Sequence, residues 1–140
     1  MSRAKAAVTG APTALLGPDT LPAPATHLAL PDYPLDAISI GIVHLGPGAF
    51  HRAHQAVFID RLLAREPGWG ICAVSLKSRG LRDALQPQQG LYTMAVLDQQ
   101  VSYRVIGSLR EVLVAAEDRE RVLERLANPQ TRLVTLTVTE

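Results

Sequence analysis

The chain has 140 residues, the length of about one domain, and 47% of them are hydrophobic, which is enough for a buried core. Its net charge of +1 gives no reason to expect a polyanionic partner such as a nucleic acid. No apolar run approaches the roughly 20 residues that a membrane-spanning helix needs, so a membrane partner is not expected either.

The N-terminal segment and the cysteine content predict the cellular compartment. Thr9, Gly10 and Pro12 interrupt the only early apolar stretch, which argues against a secretory signal. Cys72 is the single cysteine, so no disulfide forms within the chain. Its place in an apolar run predicts a small core residue rather than a nucleophile. We therefore expect a protein of the reducing cytoplasm.

Residues 1–37 are rich in proline, alanine and threonine. Proline disrupts helix interiors and central strands, so we interpret this segment as an irregular arm that lies across the domain or stays mobile. The alternative is an arm that covers a partner domain or a neighbouring subunit. Residues 38–140 are predicted to be the N-terminal part of a dinucleotide-binding domain. The prolines that exclude regular structure in the arm are Pro12, Pro18, Pro22, Pro24, Pro31 and Pro34.

A buried strand, a glycine turn and a helix are predicted over residues 38–56. The apolar run 38–45 alternates only weakly, which is typical of a parallel strand covered on both faces. Gly46 and Gly48 then allow a sharp turn and let a diphosphate approach the backbone. A helix beginning at about Phe50 would direct free N–H groups and the positive end of its dipole at that anion. This stretch therefore predicts a dinucleotide site.

The pattern departs from the dinucleotide fingerprint at one position. The fingerprint is G-x-G-x-x-G/A, and His51 stands where the third glycine permits close packing of helix on strand. A shifted helix or a contact with the ligand must therefore accommodate this ring. Arg52 in the first helical turn could pair with a phosphate or stand exposed. The cofactor-binding residues predicted here are Val43, Leu45, Gly46, Pro47, Gly48, Ala49, Phe50, His51 and Arg52.

Three histidines, His44, His51 and His54, surround this turn. His51 and His54 are three residues apart on one helical face, a spacing compatible with a metal site. His44 lies in the strand, however, and no cysteine or acidic residue joins the three nearby, so we predict no metal. Two roles stay open for His51 and His54: local hydrogen bonds that hold the turn, or direct contact with the cofactor or a neighbouring domain.

The helix that follows the turn is predicted over residues 50–66, with an apolar face towards the core and Asp60, Arg61 and Arg65 outside. A Pro-Gly pair ends it, and an apolar strand follows over residues 69–76. Strand, helix and strand form a βαβ unit with a right-handed crossover. The apolar face of the helix consists of Ala53, Ala56, Val57, Ile59, Leu62 and Leu63.

A hairpin, a helix and a last strand complete the chain. After a short helix over 81–85, the strands 91–97 and 101–106 are predicted to form an antiparallel hairpin inserted into the unit. A helix over 117–127 and a β-branched strand over 133–139 follow. The fold class predicted is α/β: a Rossmann-like, mostly parallel sheet with an inserted antiparallel hairpin, incomplete at the C-terminus. The last helix is expected to turn three residues inward, namely Val122, Leu123 and Leu126.

The loop after the second strand bears on the choice of cofactor. At this place an acidic residue binds the 2′-hydroxyl of NAD, whereas an arginine accommodates the 2′-phosphate of NADP. Lys77, Ser78 and Arg79 occupy it, and no acid appears before Asp83. The residues alone therefore favour NADP, and a solvated basic loop is the alternative. Lys77, Ser78 and Arg79 join the predicted cofactor contacts.

The string Gly-Pro-Gly-Ala-Phe-His-Arg-Ala-His-Gln-Ala at residues 46–56 resembles the opening of the mannitol dehydrogenase and fructuronate reductase family, the long-chain polyol dehydrogenases. Residues 83–93 are also similar to this family, and the resemblance covers about residues 38–140. It implies an oxidoreductase that transfers a hydride between a nicotinamide cofactor and a polyol or sugar acid, of the mannitol/fructose or mannonate/fructuronate type. Much of the family uses NAD, which we weigh above the basic loop.

The family also implies where the proton is handled. Its lysine, asparagine and histidine for proton transfer lie in a later helical domain, and no stretch of this chain matches that motif. Catalytic residues are therefore expected beyond Glu140, and the chain is expected to be an N-terminal fragment that is inactive alone. The alternative function is a non-catalytic nucleotide-binding module or an inactive truncated product.

Overall fold

The computed structural model describes residues 15–22 and 25–138. Its strands are β1 (Leu28–Ala29), β2 (Ile40–Leu45), β3 (Gly70–Ser75), β4 (Tyr92–Val96), β5 (Ser102–Ile106), β6 (Leu109–Val114) and β7 (Leu133–Leu136). Its α-helices are α1 (Ala49–Ala53), α2 (Gln55–Leu62), α3 (Gly80–Leu85) and α4 (Arg119–Ala127). Among the described residues, no helix is long and apolar enough to cross a membrane.

A parallel sheet of four strands, ordered β6-β3-β2-β7, is built on its two central strands. β2 and β3 are apolar runs buried on both faces, with Ile42, Val43 and Ile71 fully inaccessible. Parallel strands need cover on both faces, and near-continuous apolar runs satisfy that need. The predicted α/β fold with a mostly parallel sheet is confirmed.

Strand β6 is an element that the sequence pattern does not predict. Arg110 and Glu111 interrupt its apolar character, although the residues at both of its ends are buried. β6 pairs in parallel with β3, and the pairing continues past the strand because the Ala115 N–H donates to the Ser75 carbonyl at 2.8 Å. The segment that follows β6 therefore lies beside the loop that follows β3.

The predicted antiparallel hairpin is present as β4 and β5. It does not join the parallel sheet, because β5 pairs instead with β1 in a second sheet ordered β1-β5-β4. Along β5, Tyr103 is exposed, whereas Val105 and Ile106 are both buried, so the C-terminal end of the strand packs against the core.

Part of the proline-rich arm packs on the rest of the chain. Besides the pairing of β1 with β5, the Leu16 N–H donates to the Gln88 side-chain oxygen at 3.0 Å, and Tyr33 is buried. Neither a long helix nor a central strand occurs in its described residues. The interpretation of residues 1–14 and 23–24 lies outside the described residues, and the domain boundary at 37/38 stays a prediction.

The prediction of one helix over residues 50–66 is wrong. The chain forms α1 and α2, which are separated at His54, where φ is −121° and ψ is −86°. The His54 ring donates from Nδ1 to the Phe50 carbonyl at 2.8 Å. The same carbonyl also accepts the His54 backbone N–H at 3.1 Å, so the ring contact adds to the helical bond at this position rather than replacing it.

Helix α4 buries one apolar side chain rather than the three expected. Val122 packs into the core, whereas Leu123 and Leu126 are 54% and 37% exposed. An ion pair also holds the helix to β6, since Arg125 donates from Nε to the Glu111 carboxylate at 2.5 Å. The ion pair therefore helps to hold α4 against the sheet, where the sequence pattern predicted contacts of Leu123 and Leu126.

Asp60, which the helical pattern places outside, is buried. It is 1% exposed, and its Oδ1 accepts hydrogen bonds from the Tyr33 hydroxyl and, at 2.8 Å, from the Gly107 N–H. An Arg104 guanidinium nitrogen lies 3.4 Å from the other oxygen. Burial raises the pKa of Asp60, and these donors oppose that shift. This side chain connects α2 with the arm and with the hairpin sheet.

We predict that Asp60→Ala lowers the free energy of unfolding by about 3–5 kcal/mol, because it leaves a buried hydroxyl, a backbone N–H and a guanidinium without their acceptor. Urea unfolding of the protein in its full natural length measures this loss. Asp36→Ala, at an exposed position, is the matched control and should change stability little. Equal effects of the two substitutions would contradict the role given to Asp60.

Candidate functional site

The glycine turn begins directly at the carboxyl end of β2. Gly46 has φ +84°, where a side chain is costly, and its N–H donates to the Val74 carbonyl at 3.0 Å. A Cβ at Gly46 would lie 3.1 Å from the Thr137 carbonyl oxygen, whereas a Cβ at Gly48 would meet nothing within 4 Å. The backbone therefore requires the first glycine, and the second leaves one side of the turn open.

The residues predicted to contact a cofactor differ in their accessibility. Residues 48–50 are exposed, and Leu45 and Gly46 are half-buried. Pro47 is buried, and Val43 is fully buried in the sheet. The accessible surface of the turn is thus formed by residues 45–46 and 48–50, and the Val43 side chain contributes to the core rather than to a ligand surface.

Helix α1 follows the turn but has only five residues, so its dipole is smaller than that of the long helix predicted from the sequence. Gly48 is its N-cap, and no side chain caps the first N–H groups. The Arg52 carbonyl accepts a hydrogen bond from the Tyr92 hydroxyl at 2.6 Å, and Arg52 Nε is buried with no partner among the described residues. The groups available to an anion here are therefore the backbone N–H groups of the turn and the side chain of Arg52.

Two stacked imidazole rings lie beside the turn. The rings of His44 and His51 have centroids 3.6 Å apart and an interplanar angle of 10°. His44 Nδ1 lies 2.7 Å from the Thr135 hydroxyl, and its Nε2 lies 3.2 Å from both the Gly46 carbonyl and the Thr137 hydroxyl. Both ring nitrogens of His51 are buried with no hydrogen-bond partner among the described residues. Stacking on His44 thus accommodates the ring at the third position of the fingerprint.

The two stacked rings are neutral at physiological pH. Burial lowers the pKa of His51 to about 4, the neighbouring His44 adds to this shift, and the Gln55 side chain opposes it. Burial also lowers the pKa of His44. Of the two histidines whose role was left open, His54 makes the local backbone bond and His51 does not. No group of three side chains suited to a metal ion occurs in the described part of the chain.

The basic loop lies at the carboxyl end of β3, and Lys77, Ser78 and Arg79 are all exposed. Arg79 forms an ion pair with Glu117, and Arg82 donates to the same carboxylate at 2.8 Å. Sequence reasoning missed Glu117 because it follows β6, the strand that the pattern does not predict. Only the parallel pairing of β6 with β3 brings this carboxylate to the loop.

Parallel pairing gathers the glycine turn, the basic loop and the ends of β6 and β7 at one edge of the sheet. In the order β6-β3-β2-β7, β3 and β6 lie on one side of β2, and β7 lies on the other, so the strand order reverses at β2. Ligands of open α/β sheets bind where the strand order reverses, outside the carboxyl ends of the strands. An apolar depression of about 350 Å³ occupies this edge. Its lining residues are Leu45, Gly46, Leu76, Leu136, Thr137 and Val138.

Comparison with known proteins decides the family. Residues 40–140 match the family model of the mannitol dehydrogenase Rossmann domain. The chain belongs to the mannitol dehydrogenase family. The match covers both the glycine turn and the basic loop, so the family resemblance seen at residues 46–56 is confirmed.

Relatives and solved structures of the mannitol dehydrogenase family agree with this assignment. The chain is 42% identical over 119 residues to mannitol 2-dehydrogenase of Phaeosphaeria nodorum, covering 81% of this chain and 21% of the relative. Over 130 residues it is 40% identical to a mannitol dehydrogenase of Saccharomyces cerevisiae, covering 89% of this chain and 26% of the relative. The chain therefore spans about a fifth to a quarter of the length of these relatives.

Two solved structures of the family share its fold. A substrate-free D-sorbitol dehydrogenase superposes with a TM-score of 0.82 at 35% identity, covering 91% of this chain and 27% of that one. The ternary complex of Pseudomonas fluorescens mannitol 2-dehydrogenase with NAD and D-mannitol also gives a TM-score of 0.82, at 38% identity, covering 89% and 26%. The predicted Rossmann-like character of the fold is confirmed.

The two glycines of the turn are predicted to respond differently to a methyl group. Gly46→Ala should lower stability by roughly 1–2 kcal/mol, because φ is positive there and the new Cβ would crowd the Thr137 carbonyl. Gly48→Ala should leave stability nearly unchanged, since its Cβ meets open space. Urea unfolding of both variants in the full-length protein checks this, and an equal loss would show that the turn is not constrained as described.

Stability is predicted to fall as the pH is lowered from 6.5 towards 4, because His51 takes up a proton in the unfolded chain at about pH 6.5 but in the folded chain only at about pH 4. Between pH 6.5 and 5 this linkage amounts to about 2 kcal/mol. Thermal unfolding at a series of pH values measures it. His51→Phe should flatten the dependence in this range, and His27→Gln, at an exposed position, should retain it. Identical pH profiles for the native protein and His51→Phe would contradict the prediction.

Proposed function

We propose that the protein is an NAD-dependent oxidoreductase that transfers a hydride between the cofactor and a polyol or sugar acid, and that this chain forms the cofactor-binding part. The observation that carries the proposal is the Gly46–Gly48 turn at the carboxyl end of β2, in a domain of the mannitol dehydrogenase family. The similar structure with NAD and D-mannitol bound supports it. The names of the relatives favour a polyol such as mannitol or sorbitol over a sugar acid.

The residues of the turn fit a dinucleotide diphosphate. The open space at Gly48 lets phosphate oxygens approach the backbone, and the uncapped N–H groups of α1 begin at the next residue. Leu45 and Gly46 also line the apolar depression at the same edge, and its side chains would offer an apolar surface to a bound cofactor. We propose that Arg52 adds a charged contact to this diphosphate, since its Nε has no partner among the described residues.

The stacked histidines orient the turn without adding charge. Hydrogen bonds with the hydroxyls of Thr135 in β7 and Thr137 just after it hold His44, and His44 in turn supports the ring of His51. We assign no catalytic residue to the described part of the chain. The bound cofactor supplies the hydride acceptor, and the proton that accompanies hydride transfer needs a group at the reacting oxygen.

NAD is proposed over NADP because the NAD-bound structure supports it and because Arg79 is already paired with a carboxylate. The full-length protein should therefore reduce NAD in the presence of D-mannitol. A non-catalytic nucleotide-binding module would bind NAD without any polyol-dependent reduction. Absence of NAD binding would overturn both the proposed oxidoreductase and this alternative. A cytoplasmic location stays a prediction from composition.

Gly48→Val is predicted to weaken NAD binding by about tenfold or more, because a branched side chain would occupy the space that the diphosphate needs. The fold should be retained, since a Cβ at Gly48 meets no neighbour within 4 Å. Calorimetric titration of NAD into the full-length protein measures the affinity. Ala64→Val, which adds similar bulk at an exposed position after α2, is the matched control. Unchanged affinity for NAD would show that the diphosphate binds elsewhere.

A further inference from the structure

The carboxylate of Glu117 is shared between two arginines of the loop and helix that follow β3. One oxygen pairs with Arg79 Nε, and the other accepts a hydrogen bond from Arg82 Nη1 at 2.8 Å. Arg82 also bonds Asp83 at 3.2 Å. Hydrogen bonds from Arg82 and Arg79 lower the pKa of Glu117, so this carboxylate is ionised at neutral pH. The loop that looks basic in the sequence is therefore paired with acidic side chains in the fold.

The fold fixes the position of Glu117. β6 is parallel to β3, and the ladder continues to Ala115, whose N–H bonds the Ser75 carbonyl. The Glu117 N–H then donates to the Val114 carbonyl at 2.9 Å, and the Asp118 carboxylate accepts the Val114 N–H at 2.8 Å. Backbone hydrogen bonds thus hold Glu117 at the sheet edge, next to the loop, and its presence there does not depend on the exposed ion pair.

We propose that Glu117 is a specificity-determining residue for the adenosine ribose: it holds Arg79 in an ion pair and thereby favours a cofactor with a free 2′-hydroxyl over one with a 2′-phosphate. This inference rests on the proposed function. The dinucleotide fingerprint places the discriminating acid at the end of the second strand, where this chain has Lys77, Ser78 and Arg79. Glu117 supplies a carboxylate at this loop from the neighbouring strand instead.

The physical argument is a competition for one guanidinium. A 2′-phosphate that binds Arg79 must displace Glu117 from the guanidinium, and it then gives up the attraction between these two side chains. The attraction between two unit charges about 4 Å apart in water is equivalent to about fivefold in a binding constant. A neutral 2′-hydroxyl meets no such penalty. The side chain of Arg79 is 65% exposed, so its pair with Glu117 adds little to stability, and removing the pair should leave the fold intact.

The test compares the dissociation constants of NAD and NADP, measured by calorimetry on the full-length protein and its variants. Glu117→Gln should improve NADP binding by about fivefold or more and leave NAD binding unchanged or slightly weaker. Glu117→Asp keeps the charge and should stay closer to the native preference. Glu120→Gln, an exposed carboxylate in the first turn of α4, is the matched control and should change neither constant.

The double variant with Arg79→Ala identifies the mechanism. If Glu117 acts through Arg79, the gain in NADP affinity disappears when Arg79→Ala is added. A gain that persists in the double variant, or an unchanged NADP-to-NAD ratio in Glu117→Gln with an unchanged melting temperature, overturns the inference. If the native protein binds neither nucleotide, the proposed function itself fails. If it binds NAD and the ratio does not respond, only the role of Glu117 fails.

Discussion

The parallel pairing of β2 with β3 on one side and β7 on the other is the constraint on which the candidate site depends. Leu45 lies opposite Val74 of β3 and Leu136 of β7, so all three strands end at one level. The Gly46 N–H can then donate to the Val74 carbonyl, and the Thr137 N–H to the Leu45 carbonyl. Backbone bonds hold the turn from both sides. A slip of one residue would exchange the two faces of β2 and lose this arrangement.

Burial of polar groups imposes a second constraint, and the chain meets it in two ways. The buried carboxylate of Asp60 is surrounded by three donors from two other segments, which oppose the cost of removing a charge from water. His51 avoids that cost by remaining uncharged. Asp60 joins α2 to the hairpin sheet, and His51 packs α1 against β2. Packing against other segments therefore constrains both helices that follow the glycine turn.

The sequence alone could predict features whose cause is local. The apolar runs of β2 and β3 and the Gly46–Gly48 turn carry their signal within a few residues. The buried position of Asp60 could not be predicted, because its partners Tyr33 and Gly107 are distant in sequence and a lone aspartate on a helix is ordinarily exposed. β6 escaped prediction because charged residues break its apolar pattern, and with it Glu117 was missed. The helix break at His54 was missed as well, because the apolar periodicity continues through it.

Charge at the candidate site is consequently a property of the fold rather than of local composition. The chain departs from the dinucleotide fingerprint twice, at the third glycine and at the acid after the second strand. At each of these two positions, a side chain from another strand, or from the loop after that strand, contacts the residue that departs from the fingerprint. His44 of β2 stacks on His51, and both rings are uncharged, while Glu117, after β6, brings a carboxylate to Arg79. At the glycine turn, this edge of the sheet presents backbone groups beside neutral rings. At the loop after β3, it presents paired charges. The proposed ligand combines a diphosphate bound by the backbone with a ribose that tolerates a nearby carboxylate, as a dinucleotide with a free 2′-hydroxyl would.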